Sequence, residues 1–159
     1  MRFIFEQLRL GGDRNFAYLL GDREAGEGLL VDPSFDPAAA VARARAQGLR
    51  ITAILNTHGH ADHTNGNAGA QALTGAPVLG GPGHPGPLDR TLKDGDRIPF
   101  GGFAVKVWQV PGHTVVSGGH SRRRRWRLPH SVRASASLIV PPTLPTKSRS
   151  PVIPAAWRS

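Results

Sequence analysis

Residues Asn56 to Thr64 read NTHGHADHT, which places His58, His60, Asp62 and His63 within one short stretch. Imidazole nitrogens and a carboxylate at this spacing are donors that suit zinc, and iron takes the same set. The cluster follows directly on the apolar run ITAIL, so its histidines leave the end of a strand. His58 and His60, two positions apart, point the same way from extended backbone, and a third ligand has to come from elsewhere. Asp62 and His63 can face a second metal. Two metals would hold and deprotonate a shared water, giving a nucleophile near neutral pH without a serine or cysteine. The blander reading is a loop whose histidines cap a helix and bind nothing. An H-x-H-x-D-H pattern straight after an apolar strand favours ligation.

The elements that must position this cluster alternate between strand and helix. RFIFEQL puts Phe3 and Phe5 on one face and Ile4 on the other, and NFAYLLGD and GLLVDP are two further strand candidates ended by Gly-Asp and by Pro33. Joined by short turns, the three predict an antiparallel meander. DPAAAVARARAQG predicts a helix with Asp36 as its cap, Pro37 at its first position and Gly48 beyond its end. ITAILNT is then a buried strand, NGNAGAQALTG a short helix closed by Gly75, and APVLGGPG a strand and turn. DGDRIPFGGFAVKVWQVPGH reads as a hairpin in which Phe103, Val105 and Val107 alternate with Lys106 and Trp108, before Pro111-Gly112 turns the chain at His113. His84, in GPGHPG, reads as a loop residue. Strands interleaved with helices make the chain α/β.

Length and composition set the outer limits. A chain of 159 residues can bury one ordinary core. It has no cysteine, which excludes disulfides, thiolate metal sites and a cysteine nucleophile. MRFIFEQLRL lacks the apolar centre of a signal peptide, and no apolar run reaches the roughly 20 residues of a membrane span. A soluble, cytoplasmic protein without a membrane partner is the expectation. The net charge of +9 is not spread evenly, because all 11 acidic residues lie at or before Asp96. The stretch from Thr114 onward is rich in Arg and Pro and keeps no sustained period of strand or helix. Its composition predicts a disordered or poorly packed tail over 115–159, since little apolar area is available to offset the entropy of ordering it.

Around the histidines the chain resembles the metallo-β-lactamase superfamily, and in particular its hydroxyacylglutathione hydrolase (glyoxalase II) branch. NFAYLLGD, LLVDP, ILNTHGHADHTNGN, TGAPV and LKDGDRIPFGGFAVKVWQVPGHT carry the resemblance, so it spans about Asn15 to Thr114. It implies an αββα sandwich with a metal centre at one edge, its first half lying in residues 1–114. It implies that His58, His60 and His113 hold a first metal, with Asp62 and His63 starting a second site. The implied cofactor is one or two Zn2+ ions, with iron as the alternative. The implied activity is hydrolysis of a small-molecule thioester, such as a glutathione conjugate, by a metal-bound hydroxide, with Asp62 orienting the water if one metal binds. Asp32 in LLVDP matches an acidic position that supports the ligand loop from behind. Read without the resemblance, it is equally an ordinary turn aspartate before Pro33.

After Thr114 the pattern departs. The superfamily continues with Pro-Gly-Ser and, later, a Gly-Asp whose aspartate bridges two metals; here Val115-Val116-Ser117 follow, and no Asp or Glu occurs after Asp96. His120 and His130 are candidates for a last ligand only by elimination. Other readings therefore stay open: a truncated, inactive chain that keeps a metal site, a persulfide dioxygenase-like relative with iron, or a basic protein that touches nucleic acid through RRRRWR (122–127). The last is weaker than a solvated tail, because a short basic run binds phosphate without specificity. A shift of reading frame just after Thr114 would account for the loss of acids and the gain of Arg and Pro together. Translating the other two frames of the gene is expected to restore Pro-Gly-Ser and a Gly-Asp in one of them; their absence from both refutes the shift.

Overall fold

A computed structural model describes residues 2–12, 15–109 and 137–139. Three strands open the fold as the expected meander: β1 (Phe3–Leu8), β2 (Ala17–Asp22) and β3 (Glu27–Val31), with β1 and β3 each antiparallel to β2. Helix α1 (Pro37–Ala46) then carries the chain across the sheet to β4 (Arg50–Leu55), which runs parallel to β3. Its start is fixed by Pro37 in the first turn and by Asp36, whose carboxylate accepts the Ala39 N–H at 2.9 Å.

The single turn α2 (Ala61–Thr64) and α3 (Asn67–Thr74) lead to β5 (Val78–Gly80), and β6 (Arg90–Thr91) closes the sheet, both parallel to their neighbours. The order is β1-β2-β3-β4-β5-β6. A second sheet is built from β7 (Arg97–Phe100), β8 (Phe103–Lys106) and β9 (Ser137–Ile139).

The inner strands β2 to β5 are apolar on both faces because both are covered. Leu19, Leu30, Ile54 and Val78 point to the helical side and pack with Ala40, Val41, Ala44 and Ala70. Their chain neighbours Leu20, Leu29, Leu55 and Leu79 point the other way and pack with Ile98, Phe100, Phe103 and Val105 of the second sheet. Alanines on the inner faces of α1 and α3 let the helices approach the sheet closely. The described layers are thus helix, sheet and sheet, in keeping with the expected α/β sandwich.

Two features were not legible beforehand. The two-residue β6 is too short to leave a period in the sequence. Ser137–Ile139, inside the segment expected to stay unpaired, runs antiparallel to β8 with Ala104 opposite Ile139. These residues belong to SLIV, the one apolar run in that segment; the rest of 115–159 lies outside the described residues.

One buried charge ties the meander to the second sheet. Asp22 has no exposed surface and accepts both Arg2 guanidinium N–H groups, Nε at 2.9 Å and Nη2 at 2.7 Å. It also accepts the backbone N–H of Gly102, in the β7–β8 turn, at 2.8 Å, and that of Glu24 at 3.1 Å. Burial pushes its carboxyl up, but Arg2 and the backbone donors outweigh burial and hold it at about 2, below the ordinary 3.8. A carboxylate with a lowered folded-state pKa stabilises the fold above its unfolded pKa, and that stability is lost as pH falls through the folded value. Unfolding free energy is therefore expected to drop by on the order of 2 kcal/mol between about pH 4 and pH 2 on account of this group. Asp22→Asn should remove that part of the acid slope; equal slopes in denaturant titrations of the two chains would refute the assignment.

Candidate metal centre

Three adjacent parallel strands, β3, β4 and β5, end at the same edge of the sheet, and each hands its next residues to one site. Asp32 follows β3, Asn56 to His60 follow β4, and His84 lies in the loop after β5. Crevices at the carboxyl ends of parallel strands are where α/β sheets place ligands, because the crossing helices leave that edge open. Backbone pairing continues just past the strand ends: Asp32 N–H donates to the Leu55 carbonyl and Asn56 N–H to the Leu79 carbonyl, both at 2.9 Å. The histidine loop is thus seated on the sheet.

Asp32 is 2% exposed and is the acceptor around which the loop is arranged. One of its oxygens, Oδ1, accepts the Thr57 backbone N–H at 2.9 Å and the Asn56 amide at 3.4 Å. The other, Oδ2, accepts the Thr57 hydroxyl at 2.6 Å and faces His63 Nδ1 at 3.0 Å. A carboxylate is acceptor only, so His63 carries its proton on Nδ1 and directs the Nε2 lone pair outward. Asp32 raises the pKa of His63 through this hydrogen bond, against the opposing effect of burial.

The Thr57 hydroxyl, having given its proton to Asp32, can only accept from His58 Nδ1, 3.0 Å away. His58 is thereby set in the same tautomer, with its Nε2 lone pair turned toward His60 Nδ1. A carboxylate or hydroxyl behind a histidine is the usual means of fixing which nitrogen meets a metal. The backbone at Asp32 adopts φ 49°, a left-handed conformation that costs roughly 1–2 kcal/mol in a residue with a Cβ. Glycine is required at Gly66, behind α2, because a Cβ there would overlap the Pro33 carbonyl.

His58 Nε2 and His60 Nδ1 converge to 3.1 Å. Two nitrogens sharing a tetrahedral zinc at about 2.0–2.1 Å each stand roughly 3.3 Å apart, so the pair fits one ion with little movement. The His63 ring centroid is 4.1 Å from that of His58, and His63 Nε2 lies 3.7 Å from Asp62 Oδ2. Asp62 is anchored in turn by Asn15, whose amide donates to Oδ2 at 2.8 Å and to the Asp62 carbonyl at 3.1 Å. The Asn15 hydrogen bond, with smaller help from His63 and His60, holds the Asp62 carboxyl below its usual value.

The structure thus gathers His58, His60, Asp62 and His63 at one edge. His113, His120 and His130 lie outside the described residues. Among the described residues no group of three His, Cys, Asp or Glu side chains is arranged to hold a metal by itself. A cleft of about 350 Å³ lies elsewhere, at the opposite end of β4 beside Leu49 and Ile51.

Four residues of the site carried no assigned role in the sequence reading. Asn15, Asn56, Thr57 and Asn67 are polar residues beside apolar strands, a signal shared by every turn residue. Asn56 and Asn67, 6% and 9% exposed, pair their amides reciprocally, with Asn67 Nδ2 donating to Asn56 Oδ1 at 2.7 Å and Asn56 Nδ2 to Asn67 Oδ1 at 3.2 Å. His84, expected to be a plain loop residue, points its Nε2 at Asn56 Oδ1 from 3.1 Å.

Comparison with known proteins agrees with this geometry. The family model of the metallo-beta-lactamase superfamily matches residues 10–134, running on past Thr114. A hydroxyacylglutathione hydrolase of Anaeromyxobacter dehalogenans is 46% identical over 116 residues, covering 70% of this chain and 43% of that protein. The human mitochondrial persulfide dioxygenase ETHE1 is 40% identical over 111 residues, covering 62% of this chain and 40% of its own length. The crystal structure of ETHE1 from Myxococcus xanthus superposes with a TM-score of 0.65 at 28% identity, over 70% of this chain and 50% of that one. The matched region therefore spans about two fifths of the curated relatives it resembles. The family model, the two-faced sheet and the histidine loop at its edge lead to one conclusion: the chain belongs to the metallo-beta-lactamase superfamily.

Proposed function

We propose that the chain is a metal-dependent hydrolase acting on a small thioester of the hydroxyacylglutathione kind. The observation that carries this reading is the 3.1 Å convergence of His58 Nε2 and His60 Nδ1, with His58 and His63 both oriented from behind by the Thr57–Asp32 pair. His58, His60 and His113 would hold one divalent ion, and Asp62 and His63 would contribute to a second. Zinc and iron both suit this donor set. A bound divalent ion supplies Lewis acidity to the thioester carbonyl and makes water acidic enough to react near neutral pH.

The chain's own residues do the rest. Where only the first ion binds, Asp62, kept ionised by the Asn15 amide, would orient a water placed beside it and accept its proton. Asp32 takes no part in the reaction; it keeps the His58 and His63 lone pairs outward. The thiolate needs no proton to depart, which distinguishes a thioester from an amide and lightens the demand on a general acid. A second reading follows from the 40% identity to a persulfide dioxygenase. The same ligand loop would then hold iron and serve oxidation of a persulfide sulfur by dioxygen.

Metal analysis of the purified full chain, paired with hydrolysis of a hydroxyacyl-glutathione thioester, decides between these readings. Bound zinc or iron with turnover that a chelator abolishes is the expected result. Asp62→Asn is expected to lower kcat by about 100-fold, the lower range for loss of a positioned base. One loosely held equivalent without thioester turnover would refute the hydrolase and leave a metal-binding chain. Oxygen uptake with a glutathione persulfide under iron loading would favour the dioxygenase.

A further inference from the structure

His84 stands apart from the expected ligands and is engaged by the site from outside. Its Nε2 faces Asn56 Oδ1 at 3.1 Å, while its Nδ1 stands between both polar groups of the Gly86 backbone, the N–H at 3.2 Å and the carbonyl at 3.1 Å. The orientation of the Asn56 amide is not arbitrary. Its Nδ2 side must donate, because it faces the His63 carbonyl at 3.2 Å and Asp32 Oδ1 at 3.4 Å. Its Oδ1 side must then accept, so the 3.1 Å contact with His84 is a hydrogen bond when the imidazole carries a proton on Nε2. The same loop touches the ligand backbone a second time. A Cβ placed on Gly59, between His58 and His60, would come within 2.7 Å of Pro85 Cδ and 3.5 Å of the His84 Cα. Only a glycine lets the loop lie this close to the two histidines.

We propose that His84 is a positioning residue of the metal centre, which fixes the Asn56 amide against Asp32 and His63 while Pro85 braces Gly59 so that His58 and His60 stay converged. The inference rests on the reading of His58 and His60 as ligands. It adds that the loop after β5, and not the ligand strand alone, sets how well the site is formed before any ion arrives. His84 reaches the ligands through other residues and touches no reacting atom. Loss of such a supporting group weakens metal binding, by about tenfold at the low end of outer-shell effects.

The test is a Zn2+ titration of the metal-free full chain by calorimetry, repeated with Co2+ to record the absorption of the bound ion. His84→Ala is expected to bind Zn2+ about tenfold more weakly and to change the Co2+ spectrum. His84→Gln, whose amide N–H reaches the place of Nε2, is expected to bind within about twofold of the parent. Wild-type affinity in His84→Ala would overturn the proposal, as would equal weakening in both variants. If His84→Ala does not fold, His84→Asn, too short to reach Asn56, replaces it in the same comparison. His58→Ala separates the two levels: parent-like binding by that chain overturns the ligand reading and the proposal together, while its loss beside unchanged binding by His84→Ala overturns only the role of His84.

Discussion

The buried carboxylate of Asp32 is the constraint on which the site depends. A charge at 2% exposure is tolerable only if hydrogen bonds replace the water it has lost, and Asp32 has four partner groups: two from Thr57, one from Asn56 and one from His63. Satisfying that charge is what arranges the histidine loop. Thr57 must give its proton to Asp32, so it can only accept from His58; His63 must present Nδ1–H, so its Nε2 points away. Two histidine tautomers are thereby settled by one carboxylate. The left-handed backbone at Asp32 is the accompanying strain, held in place by the Ser34 N–H that donates to its carbonyl at 2.7 Å.

The sheet explains why this carboxylate is where it is. β3, β4 and β5 are parallel and buried on both faces, so their carboxyl ends are rigid and lie side by side. Asp32, Asn56 and His84 come from three successive strand ends and meet in one hydrogen-bonded chain. Asn15 joins from the β1–β2 connection and anchors Asp62 from the opposite side. Of the expected metal ligands, His58, His60, Asp62 and His63 stand on the loop after β4, whereas Asp32, Asn15 and His84 reach it from neighbouring connections. Similarity to both a hydroxyacylglutathione hydrolase and a persulfide dioxygenase fits that division. The matched region covers 43% of the first relative and 40% of the second.

The meander, both longer helices and the hairpin of β7 and β8 were legible because each has its own local signal. Leu19-Leu20 and Leu29-Leu30 mark strands buried on both faces, Asp36-Pro37 marks a helix start, and the alternation of Phe103, Val105 and Val107 marks the hairpin. H-x-H-x-D-H was legible because no core or turn needs that pattern. Asn15 and His84 were hidden for the opposite reason. Their roles exist only across long separations in sequence, and a polar residue in a Gly- and Pro-rich loop looks the same with or without a partner. The pairing of Ser137–Ile139 with β8 was missed on similar grounds, since the apolar run is short and its partner lies far away in the chain.

The central claim, that Asp32 sets the histidines for ligation before any ion is present, is most directly tested by the ring nitrogens themselves. Long-range nitrogen–proton NMR correlations of the metal-free chain at neutral pH report which nitrogen of each histidine bears the proton. The account predicts Nδ1–H for the neutral rings of both His58 and His63, and loss of that preference in Asp32→Ala. An Nε2–H tautomer at either histidine in the parent chain would contradict it.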